Sequence, residues 1–235
     1  MPSTRDIQWT ELSEESAPRD TVQSMAFQPN AQTPVIAVGS WDCTVRLYKV
    51  DHIIGAKPIL QAGSVFNFES PPIELRWTSM GEILIVLTGD GLVSAISGTD
   101  GQMTSLFSHP GAIFASSVNL LGTILFITIS SDQTLNYWTS PDLSKPFKSV
   151  KLTYMPLCAD HNVLSMLIPM DKNHVAFLKF EQPEVITYLN TGIEIQPNLV
   201  AISPTTYDFL IGTVDGRILS GDIQFSDGRI TLNRK

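Results

Sequence analysis

One short pattern recurs along this 235-residue chain at nearly constant intervals. In each copy an apolar strand ends at a turn that contains an aspartate, and a second strand begins with an aliphatic residue three or four positions later. The turn aspartates are Asp42, Asp90, Asp132, Asp171 and Asp215, so the intervals between them are 48, 42, 39 and 44 residues. Internal repeats of roughly 40–45 residues are typical of propeller blades that contain four strands each.

Each hairpin is flanked by one further predicted strand on either side. Strands that would be innermost precede the hairpins at 22–29, 73–79, 113–120, 156–162 and 199–205. Outer strands follow the hairpins at 57–65, 103–108, 148–153, 184–189 and 230–234. No window longer than ten residues shows a convincing 3.6-residue apolar period, so no helix is predicted. The sequence therefore predicts an all-β propeller of about 20 short strands.

The repeats predict one propeller domain over residues 1–235. Its five blades are expected at about 20–66, 71–108, 111–153, 154–190 and 197–235, with an extra N-terminal strand near 7–12. Because the fifth blade already has a fourth strand, we expect an open arc with exposed edges and faces. The alternative is a closed five-bladed ring in which one strand is displaced. Within each hairpin, burial is expected to alternate, with Val45 and Leu47 on one side and Thr44 and Arg46 on the other.

Charge and composition narrow the possible functions. The net charge is −8, which argues against binding of phosphate backbones by the surface as a whole. The two cysteines, Cys43 and Cys158, lie in unlike contexts, and we interpret them as reduced thiols of an intracellular protein. The N-terminal residues are polar and acidic, so no signal peptide is predicted. No apolar run approaches 18 residues, so no membrane span is predicted either.

With these repeats in place, the sequence resembles a WD40 protein, and more narrowly the mRNA-export and nuclear-pore WD40 family of the Rae-one/Gle-two type. The segments that carry this resemblance are DIQWTEL, DTVQSMAFQPNAQTPVIAVGSWDCTVRLYKV, HPGAI, LCADHNVLSML, KFEQP and GTVDGRI. The stretch GSWD-x-x-VRLY is also similar to the sister family of mitotic-checkpoint propellers, the Bub-three type, so that alternative stays open. Members of both families resemble seven-bladed rings, so the five blades counted here imply an incomplete ring, and a fragment of a longer protein is one explanation.

The WD40 resemblance also implies a hydrogen-bonded network in the third blade. His109 lies 23 residues before Asp132, and Trp138 lies six residues after it, which matches the WD-repeat pattern. Ser130 or Thr128 is expected to complete the set. In every blade the turn aspartate is expected to accept hydrogen bonds from backbone N–H groups of its own turn.

The resemblance implies a non-catalytic binding scaffold for a nucleoporin segment of the GLEBS type in mRNA export through the nuclear pore. The implied location is the nucleus and the nuclear pore, with shuttling to the cytoplasm. The candidate partner-binding residues are Trp41, Arg46 and Arg217, because an apolar anchor and guanidinium groups suit an acidic peptide. The sister family would imply binding of checkpoint kinases instead, and a generic interaction scaffold is a further alternative. No cofactor, metal, membrane or small-molecule substrate is expected.

Two other classes of function are considered beside the scaffold. A glycoside hydrolase would need two carboxylates that face each other across a bound sugar, and Glu74 and Asp160 are the acids on the predicted innermost strands. Metal-binding spacings of histidine, a nucleophile elbow and a phosphate-binding loop are absent from the sequence, so catalysis is not expected. RNA contact would need basic and aromatic residues together, and the nearest candidate is Lys145 to Lys151 with Phe147. We expect RNA contact only together with a partner that contributes basic residues.

Overall fold

The computed structural model describes residues 11–51, 59–78, 80–109, 113–120, 124–139, 145–192, 194–226 and 229–234. Most of the extra strand predicted at 7–12 therefore lies outside the described residues. Within them the chain forms twenty strands and no α-helix. The described part of the chain thus holds no helix that is long and apolar enough to cross a membrane.

The twenty strands are short and follow the predicted order. They are β1 (Val22–Phe27), β2 (Val35–Ser40), β3 (Thr44–Asp51), β4 (Ile59–Asn67), β5 (Pro72–Trp77), β6 (Ile83–Thr88), β7 (Leu92–Ser97), β8 (Met103–Ser108), β9 (Ile113–Leu120), β10 (Ile124–Ser130), β11 (Thr134–Thr139), β12 (Lys148–Lys151), β13 (Asp160–His161), β14 (Ser165–Pro169), β15 (His174–Lys179), β16 (Gln182–Asn190), β17 (Pro197–Ile202), β18 (Asp208–Thr213), β19 (Ile218–Ser226) and β20 (Arg229–Arg234).

Every four consecutive strands form one antiparallel sheet in chain order. We number these sheets 1 to 5, so that sheet 1 contains β1–β4 and sheet 5 contains β17–β20. The predicted all-β fold of four-stranded sheets is confirmed. The largest difference in strand length is at β13, where two residues pair with β14 and Pro156 forms only an isolated bridge with Met170.

The chain divides into two compact units, each with its own core. The first unit ends at Ser108 and contains sheets 1 and 2, and the second begins at His109 and contains sheets 3 to 5. The single domain over residues 1–235, and with it the choice between arc and ring, stays a prediction.

Sheet 4 is covered on both faces within the second unit. Met166 and Ile168 of β14 join a core that includes Ile127 of sheet 3. Leu167, which lies between them, joins a second core that includes Ile211 of sheet 5. Alternate side chains of one strand therefore serve two cores, because successive side chains point to opposite faces of a sheet. This arrangement explains why all five residues of β14 are buried.

In the first unit, sheets 1 and 2 pack face to face. Their shared core contains Val45 of sheet 1 and Leu84 of sheet 2, both with no exposed surface. The first strands of the two sheets are also joined by a hydrogen bond, since Nε1 of Trp77 donates to the carbonyl oxygen of Ala26 at 3.1 Å. Apolar packing together with a hydrogen bond between the sheets fixes the position of one sheet on the other.

The prediction that burial alternates in the first hairpin is wrong. Thr44 and Val45 are both buried, and Arg46 and Leu47 are both half-buried. Val45 packs against sheet 2, whereas the hydroxyl of Thr44 is covered by the carboxylate of Asp42. Strands covered on both faces show continuous burial, and strict alternation belongs to sheets with one solvated face.

Candidate functional site

The turn between the second and third strands has the same geometry in sheets 1, 2, 3 and 5. In each turn the residue after the aspartate donates its backbone N–H to the carbonyl oxygen of the residue that lies two positions before the aspartate. These pairs are Cys43 to Ser40 at 3.1 Å, Gly91 to Thr88 at 3.0 Å, Gln133 to Ser130 at 3.0 Å and Gly216 to Thr213 at 3.0 Å. The donor residue has a positive φ in each turn, as three-residue hairpin loops require at that position.

A buried hydroxyl two residues before the aspartate stabilises these turns. Thr88, Ser130 and Thr213 donate their hydroxyl groups to the carboxylate of the aspartate two residues later, at 2.5, 2.6 and 2.5 Å. In sheet 1 the hydroxyl of Ser40 donates to the carbonyl oxygen of Asp20 at 3.1 Å and accepts the N–H of Asp42 at 3.2 Å. Of these hydroxyls only that of Ser130 was expected, although the spacing Ser/Thr-x-Asp is visible at all four turns.

Hydrogen bonds favour the charged form of three turn carboxylates, those of Asp42, Asp132 and Asp215. Burial by itself would raise the pKa of Asp42 and Asp132, but the hydrogen bonds outweigh it and keep both pKa values below the usual range. For Asp42 these bonds come from the hydroxyl and N–H of Thr44, at 2.6 and 3.0 Å, and from the N–H of Arg19 at 2.8 Å. The hydrogen bond from Thr213 likewise lowers the pKa of Asp215.

The turn of sheet 4 differs from the other four. Asp171 accepts the N–H of Met155 at 2.9 Å, and its own N–H donates to the carbonyl oxygen of Met155 at the same distance. Both Lys172 and Asn173 have positive φ, at 52° and 63°. The extra turn residue is the reason that the following aliphatic residue, Val175, lies four positions after the aspartate rather than three. Asp171 therefore attaches its hairpin to the preceding segment.

The residues of the network predicted for sheet 3 make hydrogen bonds in two groups. Nε1 of Trp138 donates to the hydroxyl of Thr128 at 2.9 Å in a buried position. Nε2 of His109, also buried, contacts the side-chain amide of Asn136. The hydroxyl of Ser149 in turn donates to the side-chain oxygen Oδ1 of Asn136 at 2.5 Å.

Asp132 bonds to Ser130 and Thr134 in its own turn, so its direct link to His109 stays a prediction. The role of Asn136 as the partner of His109 was not predicted. The sequence feature that could have indicated this role is the position of Asn136, a polar residue between the apolar Leu135 and Tyr137.

The three candidate partner-binding residues differ in how available they are. The side chain of Trp41 is 51% exposed, and its Nε1 donates to Oε1 of Gln23 at 2.9 Å, which orients the indole. The side chain of Arg46 is only 13% exposed and lies 3.6 Å from the carboxylate of Asp42. Arg217 forms an exposed ion pair at 2.9 Å with the turn aspartate before it. Trp41 and Arg217 are therefore open to a partner, whereas Arg46 is largely covered.

The carboxylates considered for catalysis take part in structural contacts. Glu74 accepts a hydrogen bond from Nε of Arg76 at 2.7 Å, and both line a cavity of about 510 Å³ between β1 and β5. Asp160 accepts the backbone N–H of Ile202 at 3.0 Å, which joins sheets 4 and 5. Across the ranges that the structure describes, no group of three or more His, Cys, Asp or Glu side chains could hold a metal ion.

Replacing Gly216 by alanine should lower the free energy of unfolding by roughly 1 kcal/mol, because its φ of +85° disfavours any side chain. A Cβ there would meet nothing within 4 Å, so the effect isolates the backbone strain. The matched control is Gly212→Ala in the same sheet, where the new Cβ would make an ordinary contact with Leu199. Chemical denaturation measures both variants, and equal losses would contradict the turn geometry.

The lowered pKa values of Asp42, Asp132 and Asp215 predict a loss of stability at acidic pH. Their stabilisation is present above the unfolded-state pKa of about 3.9 and is lost as the pH falls through the lower folded-state values. The triple Asp→Asn variant keeps an oxygen acceptor but no longer titrates. Its melting temperature should therefore fall less than that of the wild type between pH 5 and pH 3. Parallel curves in thermal melts would refute this assignment.

Comparison with known proteins adds an independent line of evidence. No protein-family model matches the chain. It is 20% identical over 227 residues to the mRNA export factor rae-1 of Caenorhabditis elegans, covering 92% of this chain and 60% of that protein. It is 23% identical over 224 residues to the mRNA export factor GLE2 of Chaetomium thermophilum, covering 94% and 61%. It is 24% identical over 212 residues to the WD40 repeat protein poxJ of Penicillium oxalicum, covering 85% and 57%.

The chain spans about three fifths of the length of these curated relatives. Their names agree with the fold class inferred from the repeats and with the family resemblance carried by the quoted segments. The chain is therefore an all-β protein of four-stranded antiparallel sheets that is similar to mRNA export factors and to a WD40 repeat protein, as its sequence predicts.

Proposed function

We propose that this chain is a non-catalytic scaffold that binds a nucleoporin segment of the GLEBS type during mRNA export through the nuclear pore. The names of the relatives support the process, since two of those described above are mRNA export factors. This role would place the protein in the nucleus and at the nuclear pore, with shuttling to the cytoplasm. The nucleoporin segment itself is the part of the proposal that rests on the sequence resemblance.

The single observation that carries the proposal is the exposed Trp41 on a rigid turn. Its backbone N–H donates to the carbonyl oxygen of Thr21 at 2.9 Å, and its indole is held by Gln23. The next residue, Asp42, accepts three hydrogen bonds through its carboxylate. A large apolar side chain that is already ordered loses little conformational entropy on binding, and such residues dominate interfaces.

The charges around this turn define which peptide it would bind. Arg46 is largely covered by Asp42, so we assign it a supporting role, in which its guanidinium holds the turn carboxylate in place. Gln23, beside the indole, offers an amide that can bond to the main chain of an extended segment. Arg217 lies on a turn of the second unit, so we propose it only as an independent contact for an acidic side chain, apart from the Trp41 turn.

Trp41→Ala should weaken binding of a GLEBS-type peptide by roughly 2 kcal/mol, or about 30-fold in the dissociation constant, because the anchor is removed. Isothermal titration with a synthetic peptide measures this change. The matched control is Phe147→Ala, an exposed aromatic residue of the second unit, which should bind the peptide like the wild type. Unchanged affinity of Trp41→Ala would refute the proposed anchor.

A pull-down from cell extract distinguishes the proposed role from the alternative of the sister family. Recovery of a nucleoporin supports mRNA export. Recovery of a checkpoint kinase without a nucleoporin would instead favour the mitotic-checkpoint role. The folded wild-type chain and Trp41→Ala should be compared side by side, since only partners that use this turn are lost with the indole.

RNA contact is a second candidate function, and one observation favours it. Phe147 is 72% exposed between Lys145 and Lys148, which provides an aromatic platform next to basic groups. The net charge of −8 opposes binding of RNA by this chain alone. We therefore propose that this segment contacts RNA only when a partner adds further basic residues.

A further inference from the structure

The segment that precedes β1 lies against the turn that carries Trp41. The backbone N–H of Arg19 donates to the carboxylate of Asp42 at 2.8 Å. The hydroxyl of Ser40, at the start of the turn, donates to the carbonyl oxygen of Asp20 at 3.1 Å. These bonds hold the backbone of Arg19 and Asp20 beside the turn, at the end of the strands rather than over a face of sheet 1.

Arg19 offers an exposed cation at this turn. Its side chain is exposed, and its guanidinium forms no hydrogen bond or ion pair with the residues that the structure describes. Arg46, by contrast, is only 13% exposed and is already paired with Asp42. A guanidinium carries five N–H donors in a planar fork that matches the two oxygens of a carboxylate. Arg19 can therefore bind a carboxylate of a partner without giving up a contact of its own.

The two carboxylates nearest to Arg19 differ in their effect on an acidic partner. That of Asp42 is only 10% exposed, and its charge is paired with that of Arg46. That of Asp20 accepts the backbone N–H of Thr21 at 2.6 Å, but Asp20 is exposed. Asp20 should therefore repel an incoming carboxylate, while its neighbour Arg19 attracts it.

The other acidic residues of the segment, Glu11, Glu14 and Glu15, come before or within a turn that contacts the middle of β3. In that turn the carbonyl oxygen of Ser16 accepts the hydroxyl of Tyr48 at 2.5 Å. Tyr48 lies four residues after the start of β3, or about 13 Å along the strand. Charges are screened over about 8 Å at physiological ionic strength, so these carboxylates weaken the attraction of Arg19 only slightly.

We propose that Arg19 selects an acidic partner at the Trp41 turn by pairing with a carboxylate of the peptide that packs on the indole. This inference rests on the proposed binding of a GLEBS-type segment, and it names the group that recognises the charge of that segment. Trp41 supplies the apolar anchor, and Arg46 stabilises the turn through Asp42. Arg19 lies in the segment before β1, outside the repeated hairpin, so the repeat pattern does not indicate it.

Arg19 and Trp41 should act on different rate constants. A charge at the rim of an interface mainly changes the association rate and its dependence on salt, whereas most other interface mutations change the dissociation rate. Arg19→Gln removes the charge and keeps the backbone N–H that bonds to Asp42. It should lower the association rate constant roughly threefold to fivefold, near the upper limit for an exposed ion pair. Trp41→Ala should raise the dissociation rate constant instead.

Surface plasmon resonance with a synthetic GLEBS-type peptide, at roughly 50 to 300 mM salt, tests the proposal. The association rate of the wild type should fall as salt rises, and that of Arg19→Gln should fall less steeply. The matched control is Lys49→Gln, which removes an exposed positive charge near the other end of β3 and should behave like the wild type. Asp20→Asn keeps the oxygen that accepts the N–H of Thr21 and should raise the association rate.

A second peptide, in which amides replace the acidic side chains, separates charge from anchor. The wild type and Arg19→Gln should bind this peptide at equal rates, and a difference between them would overturn the assignment of a carboxylate to Arg19. If Arg19→Gln binds the acidic peptide like the wild type while Trp41→Ala binds it weakly, the inference is wrong and the proposed function stands. If the wild type binds neither peptide, or Trp41→Ala binds both like the wild type, the proposed function and this inference both fail.

Discussion

Face-to-face packing of four-stranded sheets is the constraint on which the rest of this structure depends. A four-stranded sheet this small cannot bury enough apolar surface on one face alone, and a neighbouring sheet on the second face makes up the difference. Sheet 4 shows the consequence most clearly, because Leu167 and Ile168 are adjacent in sequence and belong to different cores. The same requirement packs Val200 and Ile211 of sheet 5 against sheet 4.

Packing of this kind also makes the turns rigid enough to present a binding residue. The third strand of sheet 1 begins at the buried Thr44, whose hydroxyl and N–H both bond to Asp42, and Trp41 directly precedes that aspartate. The turn that carries the indole is therefore attached to a strand whose Val45 is anchored in the core shared with sheet 2. Rigid loops on a rigid framework are where binding residues are generally found, which agrees with the proposed role of a scaffold for an extended peptide.

Much of this architecture could be predicted from the sequence, because a turn aspartate recurs between two apolar strands and the strand period of two is strong. The strand order and the bounds of β9, at 113–120, were predicted correctly. Alternating burial at Thr44 and Val45 was not, since the single-strand pattern does not reveal that both faces are covered. Asn136 was missed because its contact with His109 joins residues 27 apart, and cross-strand geometry alone brings them together. The covered state of Arg46 was not predicted either, because its ion pair with Asp42 depends on how the folded turn places the two side chains.

An alanine scan of β14 tests the central claim most directly. If both faces of sheet 4 are packed, Met166→Ala, Leu167→Ala and Ile168→Ala should each lower the free energy of unfolding by about 2–5 kcal/mol, although adjacent residues point in opposite directions. Leu164→Ala, in the partly exposed turn before β14, is the matched control and should cost far less. A period-two result, with a large loss at Met166 and Ile168 and a small one at Leu167, would mean that only one face is packed and would contradict the account.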